Sequence, residues 1–80
     1  MAKKASRAQL QKLADKVNAH YGESAEFGAR VNDQWFDDRL IVGWEGGPED
    51  WPQSEAVAAM APAGWFVEPV NHWAIAMYPA

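Results

Sequence analysis

His20 and His72 are the side chains most suited to acid–base or metal chemistry, and neither has the neighbours that such chemistry needs. No H-x-x-x-H or H-E-x-x-H spacing joins them, and further metal ligands would have to come from distant carboxylates. His20 falls at the end of a predicted helix, where the dipole favours a cation. His72 opens a predicted strand beside Trp73. Both read as surface or edge residues. Asp33, Asp37 and Asp38 could gather around Ca²⁺ or Mg²⁺, but adjacent residues on an extended chain point to opposite faces. The alternating Asp ladder and glycine of a calcium loop are also missing, so turn and solvent roles fit better. Ser6, Ser24 and Ser54 lie in no G-x-S-x-G elbow. Gly46-Gly47-Pro48 has no following Lys, and the flanking Glu45 and Glu49 would repel a phosphate. These patterns argue against an enzyme and imply no metal or cofactor.

Binding is the chemistry that remains. Residues 1–20 carry five Lys/Arg against Asp15, leaving +4, whereas residues 21–80 carry Arg30 and Arg39 against ten carboxylates, leaving −8. Such a body repels nucleic acid and attracts cationic protein surfaces; solubility alone is the plainer reading of the same charge. Five Trp could stack single-stranded bases, but a stacking platform needs a positive groove. The acidic residues concentrate instead around two aromatic turns. One is the loop holding Asp33, Trp35, Asp37 and Asp38. The other is the Leu40–Pro52 stretch, in which an apolar run through Trp44 breaks at Gly46-Gly47-Pro48 and Glu45, Glu49 and Asp50 flank Trp51. Exposed indoles ringed by carboxylates suit an Arg- or Lys-rich protein partner. Asp33, Asp37, Asp38, Glu45, Glu49 and Asp50 are therefore the expected partner-binding residues, with Trp35 and Trp51 as partly exposed anchors.

Eighty residues make one domain, 1–80, with residues 1–5 reading as a frayed N-terminus. Only roughly 60% of the unfolded surface is buried at this size, so each large aromatic counts. The absence of Cys excludes a disulfide framework and a thiolate site, and suits the cytoplasm. No run of about 18 apolar residues is present for a membrane span, and no apolar signal core follows the basic start.

The elements that must hold the acidic turns follow from periodicity. Ser6 and Gln9 fit a capping box, and Leu10, Leu13, Ala14, Val17 and Tyr21 form one helical stripe before Gly22. A helix over 6–20 is expected, packed on a sheet because it cannot stand alone in water. From Glu26 the period becomes two, with Phe27, Ala29 and Val31 on one face. Leu40, Val42 and Trp44 alternate with Ile41 and Gly43 in a second strand, and the two pair as a hairpin. Pro52 suits the first turn of a second helix capped by Asp50 or Trp51, with Ala56, Val57, Ala59 and Met60 facing inward. Residues 65–70 and 71–78 read as strands joined at Pro69-Val70-Asn71, with Trp73, Ile75 and Met77 on the face opposite His72, Ala74, Ala76 and Tyr78. The order α-β-β-α-β-β predicts an α+β fold, an antiparallel sheet of about four strands with helix on one face.

The corner also carries a resemblance. Val42, Trp44, Gly47 and Pro48 in the pattern hydrophobic-x-Trp-x-x-Gly-Pro, with Val57 on the following helix, resemble a domain associated with large polyvalent proteins of phages and mobile elements. The similarity spans residues 20–80. The stand-alone length, acidic body and basic first helix resemble anti-CRISPR proteins that act on type I surveillance complexes. That resemblance implies a monomeric, stoichiometric inhibitor in the cytoplasm of a host bacterium. Its carboxylates would stand in for phosphates on the basic channel that receives target DNA, in subtype I-C among others. Two alternatives stay open: an interaction module of mobile-element polyvalent proteins, or an inhibitor of another host DNA-binding defence enzyme.

Overall fold

A computed structural model describes residues 4–22, 28–32 and 40–80. Helix α1 spans Arg7–Tyr21, beginning where the capping box sets it: the Ser6 hydroxyl accepts from the Gln9 amide while the Gln9 side chain accepts from the Ser6 amide. The helix stops at Gly22, whose N–H donates to the Asn18 carbonyl at 2.8 Å. Leu10, Leu13, Ala14 and Val17 are all buried, and Tyr21 is half-buried against the same core. Ala5, expected in a frayed terminus, also packs on that core. It precedes the N-cap and Leu10 follows four residues into the helix, the two positions at which apolar residues staple a helix start.

Strands β1 (Arg30–Asn32), β2 (Ile41–Gly43), β3 (Trp65–Asn71) and β4 (Ala74–Pro79) form one antiparallel sheet in the order β1-β2-β4-β3. The α+β architecture and the β1–β2 hairpin are those the periodicity predicts. Alternation sorts the side chains to two faces. Val42, Ile75 and Met77 meet α1, Trp44, Trp51 and Val57 in the main core. Ile41, Ala74 and Ala76 form a smaller cluster with Val70, Trp73 and Tyr78, so β2 is buried on both faces.

Three local expectations give way. The second helix does not run on from Pro52. A 3-10 turn at Trp51–Gln53 comes first, Ser54 is extended, and α2 (Glu55–Ala58) starts afresh with the Ser54 hydroxyl accepting from the Val57 amide. Asp50 makes no side-chain cap, because its backbone is left-handed at φ 58°. The β3–β4 turn falls at His72–Trp73 rather than at Pro69-Val70-Asn71. Asn71 Oδ1 accepts from the Trp73 amide at 2.9 Å, an Asx-type closure, and the register shift between Pro69 and Asn71 absorbs the extra residue. Trp73, expected to share a face with Ile75 and Met77, consequently packs with Ala74, Ala76 and Tyr78 in the smaller cluster.

The chain entering β1 is tied to α1 by one side chain. Asn18 accepts from the Ala29 amide at 2.7 Å and donates to its carbonyl at 2.9 Å. Replacing Asn18 with Ala removes both bonds at a part-buried position and should cost about 1–3 kcal/mol. Ser6→Ala, which loses only the cap, should cost about 1 kcal/mol. Urea unfolding checks this: both midpoints should fall with unchanged slope, and Asn18→Ala should fall further.

Candidate functional site

The corner after β2 is held by the carbonyl oxygen of Trp44. It accepts the Gly47 amide at 3.3 Å and the Trp51 indole Nε1–H at 3.2 Å. The Trp44 amide in turn donates to the Trp73 carbonyl at 2.8 Å, joining the corner to the β3–β4 turn. Gly46 makes the reversal at φ 83°, a conformation that glycine adopts without steric cost. Gly47 serves a different need: a Cβ there would lie 2.7 Å from Trp44 Cδ2 and 2.9 Å from Cγ. Its backbone lies directly against the indole.

Aromatic rings fill the space beneath. Trp44 lies 6.1 Å from Trp51 and 6.0 Å from Tyr21, and Tyr21 lies edge-on to His20 at 4.6 Å. The Tyr21 hydroxyl and the Ser54 hydroxyl share a hydrogen bond at 3.1 Å, linking the end of α1 to the cap of α2. Trp44 and Trp51 are 6% and 1% exposed. Trp51 is therefore not the partly exposed anchor expected at this corner. The left-handed turn at Asp50 is followed by an indole in the core, where its polar atom finds the Trp44 carbonyl.

On this base sits an open cleft of about 430 Å³. Glu45, Glu49 and Asp50 line it together with Pro48, and all three carboxylate residues are exposed. His72 and Trp73 complete it from the β3–β4 turn. Three of the six expected carboxylate residues, Glu45, Glu49 and Asp50, are thus brought to one concavity. Asp33, Trp35, Asp37 and Asp38 lie outside the described residues. Asn32 and Ile41, the strand residues nearest that segment, pair at one end of β2, whereas the corner leaves from Gly43 at the other. Among the described residues no group of three or more His, Asp or Glu is placed to hold a metal ion. None of their helices is long and apolar enough to cross a membrane.

His72 and Trp73 were not expected in the cleft, since a strand assignment for residue 72 hides the turn that brings them there. The signal was available in Asn71, whose side chain favours such a turn. What the cleft can do is hold a cationic group: carboxylates supply charge, and an indole face attracts ammonium or guanidinium. Comparison with protein-family models, curated proteins and solved structures finds no match.

The two corner glycines should respond differently to substitution. Gly47→Ala overpacks the Trp44 ring and should cost about 1–3 kcal/mol, with a changed tryptophan emission spectrum. At Gly46 a Cβ meets open space, so Gly46→Ala should cost about 1 kcal/mol of backbone strain and leave the emission unchanged. Denaturation followed by fluorescence measures both quantities.

Proposed function

We propose that this chain is a stoichiometric protein inhibitor whose acidic corner docks on the basic, DNA-receiving surface of a host defence complex. The observation that carries the reading is the convergence of exposed Glu45, Glu49 and Asp50 on one cleft, on backbone fixed by Trp44, Gly47 and Trp51. A surface that must hold phosphates presents Lys and Arg. Carboxylates carried on a fixed stretch of backbone can pair with those cations in place of phosphates. Trp73 offers an aromatic surface beside them, and desolvating a cation between an indole and a carboxylate strengthens both contacts. The specific target proposed is a type I CRISPR surveillance complex, subtype I-C included, acted on in the bacterial cytoplasm as a phage or prophage anti-CRISPR protein. The −8 charge of residues 21–80 supports attraction to such a channel over a longer range than the cleft itself.

A second reading is favoured by where the resemblance residues lie. Val42, Trp44 and Val57 are buried core, and Gly47 is packed on Trp44. The pattern hydrophobic-x-Trp-x-x-Gly-Pro therefore encodes a scaffold rather than a binding surface. It fits equally an interaction module of mobile-element polyvalent proteins, in which the same corner meets another basic partner.

Competition binding separates these readings. With a type I surveillance complex and labelled target DNA, micromolar protein should raise the apparent Kd for DNA. The E45Q/E49Q/D50N variant should require about tenfold more protein or higher for the same effect, and Asn at position 50 retains the left-handed backbone. Inhibition should weaken between about 50 and 200 mM salt. If DNA binding is untouched at micromolar protein, the inhibitor reading fails for this complex. If the triple variant inhibits as strongly as the parent, the corner is not the docking site.

A further inference from the structure

A second groove shares no residue with the acidic corner. Along one side of α1, Gln9, Lys12, Leu13 and Lys16 recur at i, i+3, i+4 and i+7, and they face Met60, Pro62 and Trp65 from the α2–β3 connection and the start of β3. The space between is about 350 Å³, within the lower range of small-molecule sites. Its two surfaces differ in chemistry. Leu13 is buried and Met60 and Trp65 are half-buried, so the floor is apolar. The charged side chains of the rim, Lys12 and Lys16, are hydrogen-bond donors only.

The donor character follows atom by atom. Lys12 and Lys16 are exposed and carry ammonium groups, which cannot accept a hydrogen bond. Gln9 has an acceptor, but its Oε1 already accepts from the Ser6 amide at 2.8 Å, which leaves its NH₂ toward other partners. Lys16 Nζ reaches the Met60 carbonyl at 3.4 Å, a long contact that a charged acceptor would readily displace. Among the described residues no Asp or Glu lines this groove. A ligand that matches it has acceptors only at one end and an apolar body at the other.

We infer that this groove binds a small amphiphilic carboxylate, its head between Lys12 and Lys16 and its chain or ring along Met60, Pro62 and Trp65. The charge of the rim decides the class. A neutral alcohol of the same length leaves the two ammonium groups without a counter-charge, and a cationic amphiphile is repelled. The site is independent of the proposed corner function, since neither its residues nor its charge contribute there.

Decanoate is the probe, kept below its micellar range, in a ¹⁵N–¹H NMR titration of the full chain. Saturable shifts are expected at the Trp65 indole N–H and at the Lys12 and Lys16 amides. Decanol should bind about tenfold more weakly or less, and K12Q/K16Q should lose affinity for decanoate by about tenfold or more, the scale of one to two charge contacts. K12R/K16R should retain it. Both lysines are exposed, so the unliganded spectrum of K12Q/K16Q should match the parent outside α1. Absence of saturable shifts, equal binding of decanol, or unchanged affinity in K12Q/K16Q would each overturn the assignment.

Discussion

One carbonyl oxygen sets the shape of the acidic corner. Trp44 O takes the Gly47 amide from one direction and the Trp51 indole N–H from another, and this double acceptance turns the chain between β2 and the 3-10 turn. Burying an indole leaves its N–H in need of a partner, and burying a strand end leaves its carbonyl in the same need. Each group satisfies the other here. The arrangement also explains why two large tryptophans can lie beside a run of carboxylates. The apolar rings go inward together, and what remains at the surface is Glu45, Glu49 and Asp50.

The same economy extends through the aromatic row. Tyr21 spans from the last turn of α1 to Trp44 and to the Ser54 hydroxyl, so the helix end, the strand end and the cap of α2 are coupled. A small domain gains little from any single contact, because its buried fraction is limited. Residues that contact three elements therefore matter more than their individual areas suggest. The charge division follows the same geometry: Lys12 and Lys16 lie off the buried stripe of α1, while Glu45, Glu49 and Asp50 gather where the backbone turns and apolar side chains face inward.

Much of this was legible in residue spacing. The stripe from Leu10 to Tyr21 and the Ser6–Gln9 box specify α1 through local rules that tertiary contacts do not override. Alternation over Leu40–Trp44 and Ile75–Met77 identifies strands because side-chain period is a backbone property. Less was legible at the corner. Trp51 beside two acidic residues looks solvent-facing from its neighbours alone; its burial depends on Trp44 O, seven residues earlier, and on a left-handed Asp50 that ordinary preferences do not predict. The β3–β4 turn moved for a similar reason. Pro69 resembles a turn residue, yet the Asx bond from Asn71 to the Trp73 amide closes the chain two residues later, and that shift carries His72 and Trp73 into the cleft. Asn18, with its paired bonds to Ala29, leaves no periodic trace at all.

Pro69 has a separate consequence because β3 is an outer strand of the sheet. A seven-residue strand with an open side is a template on which another chain can lay its own backbone. The proline ring nitrogen carries no hydrogen, the register shift beside it bends the strand, and exposed Glu68 adds charge next to both. An incoming strand would lose ladder continuity at the middle of the segment and meet a carboxylate there. Sheet growth by edge-to-edge addition is thereby discouraged, which leaves Phe66, 44% exposed and paired with Tyr78 at 5.8 Å, on a strand ill-suited to nucleating fibres.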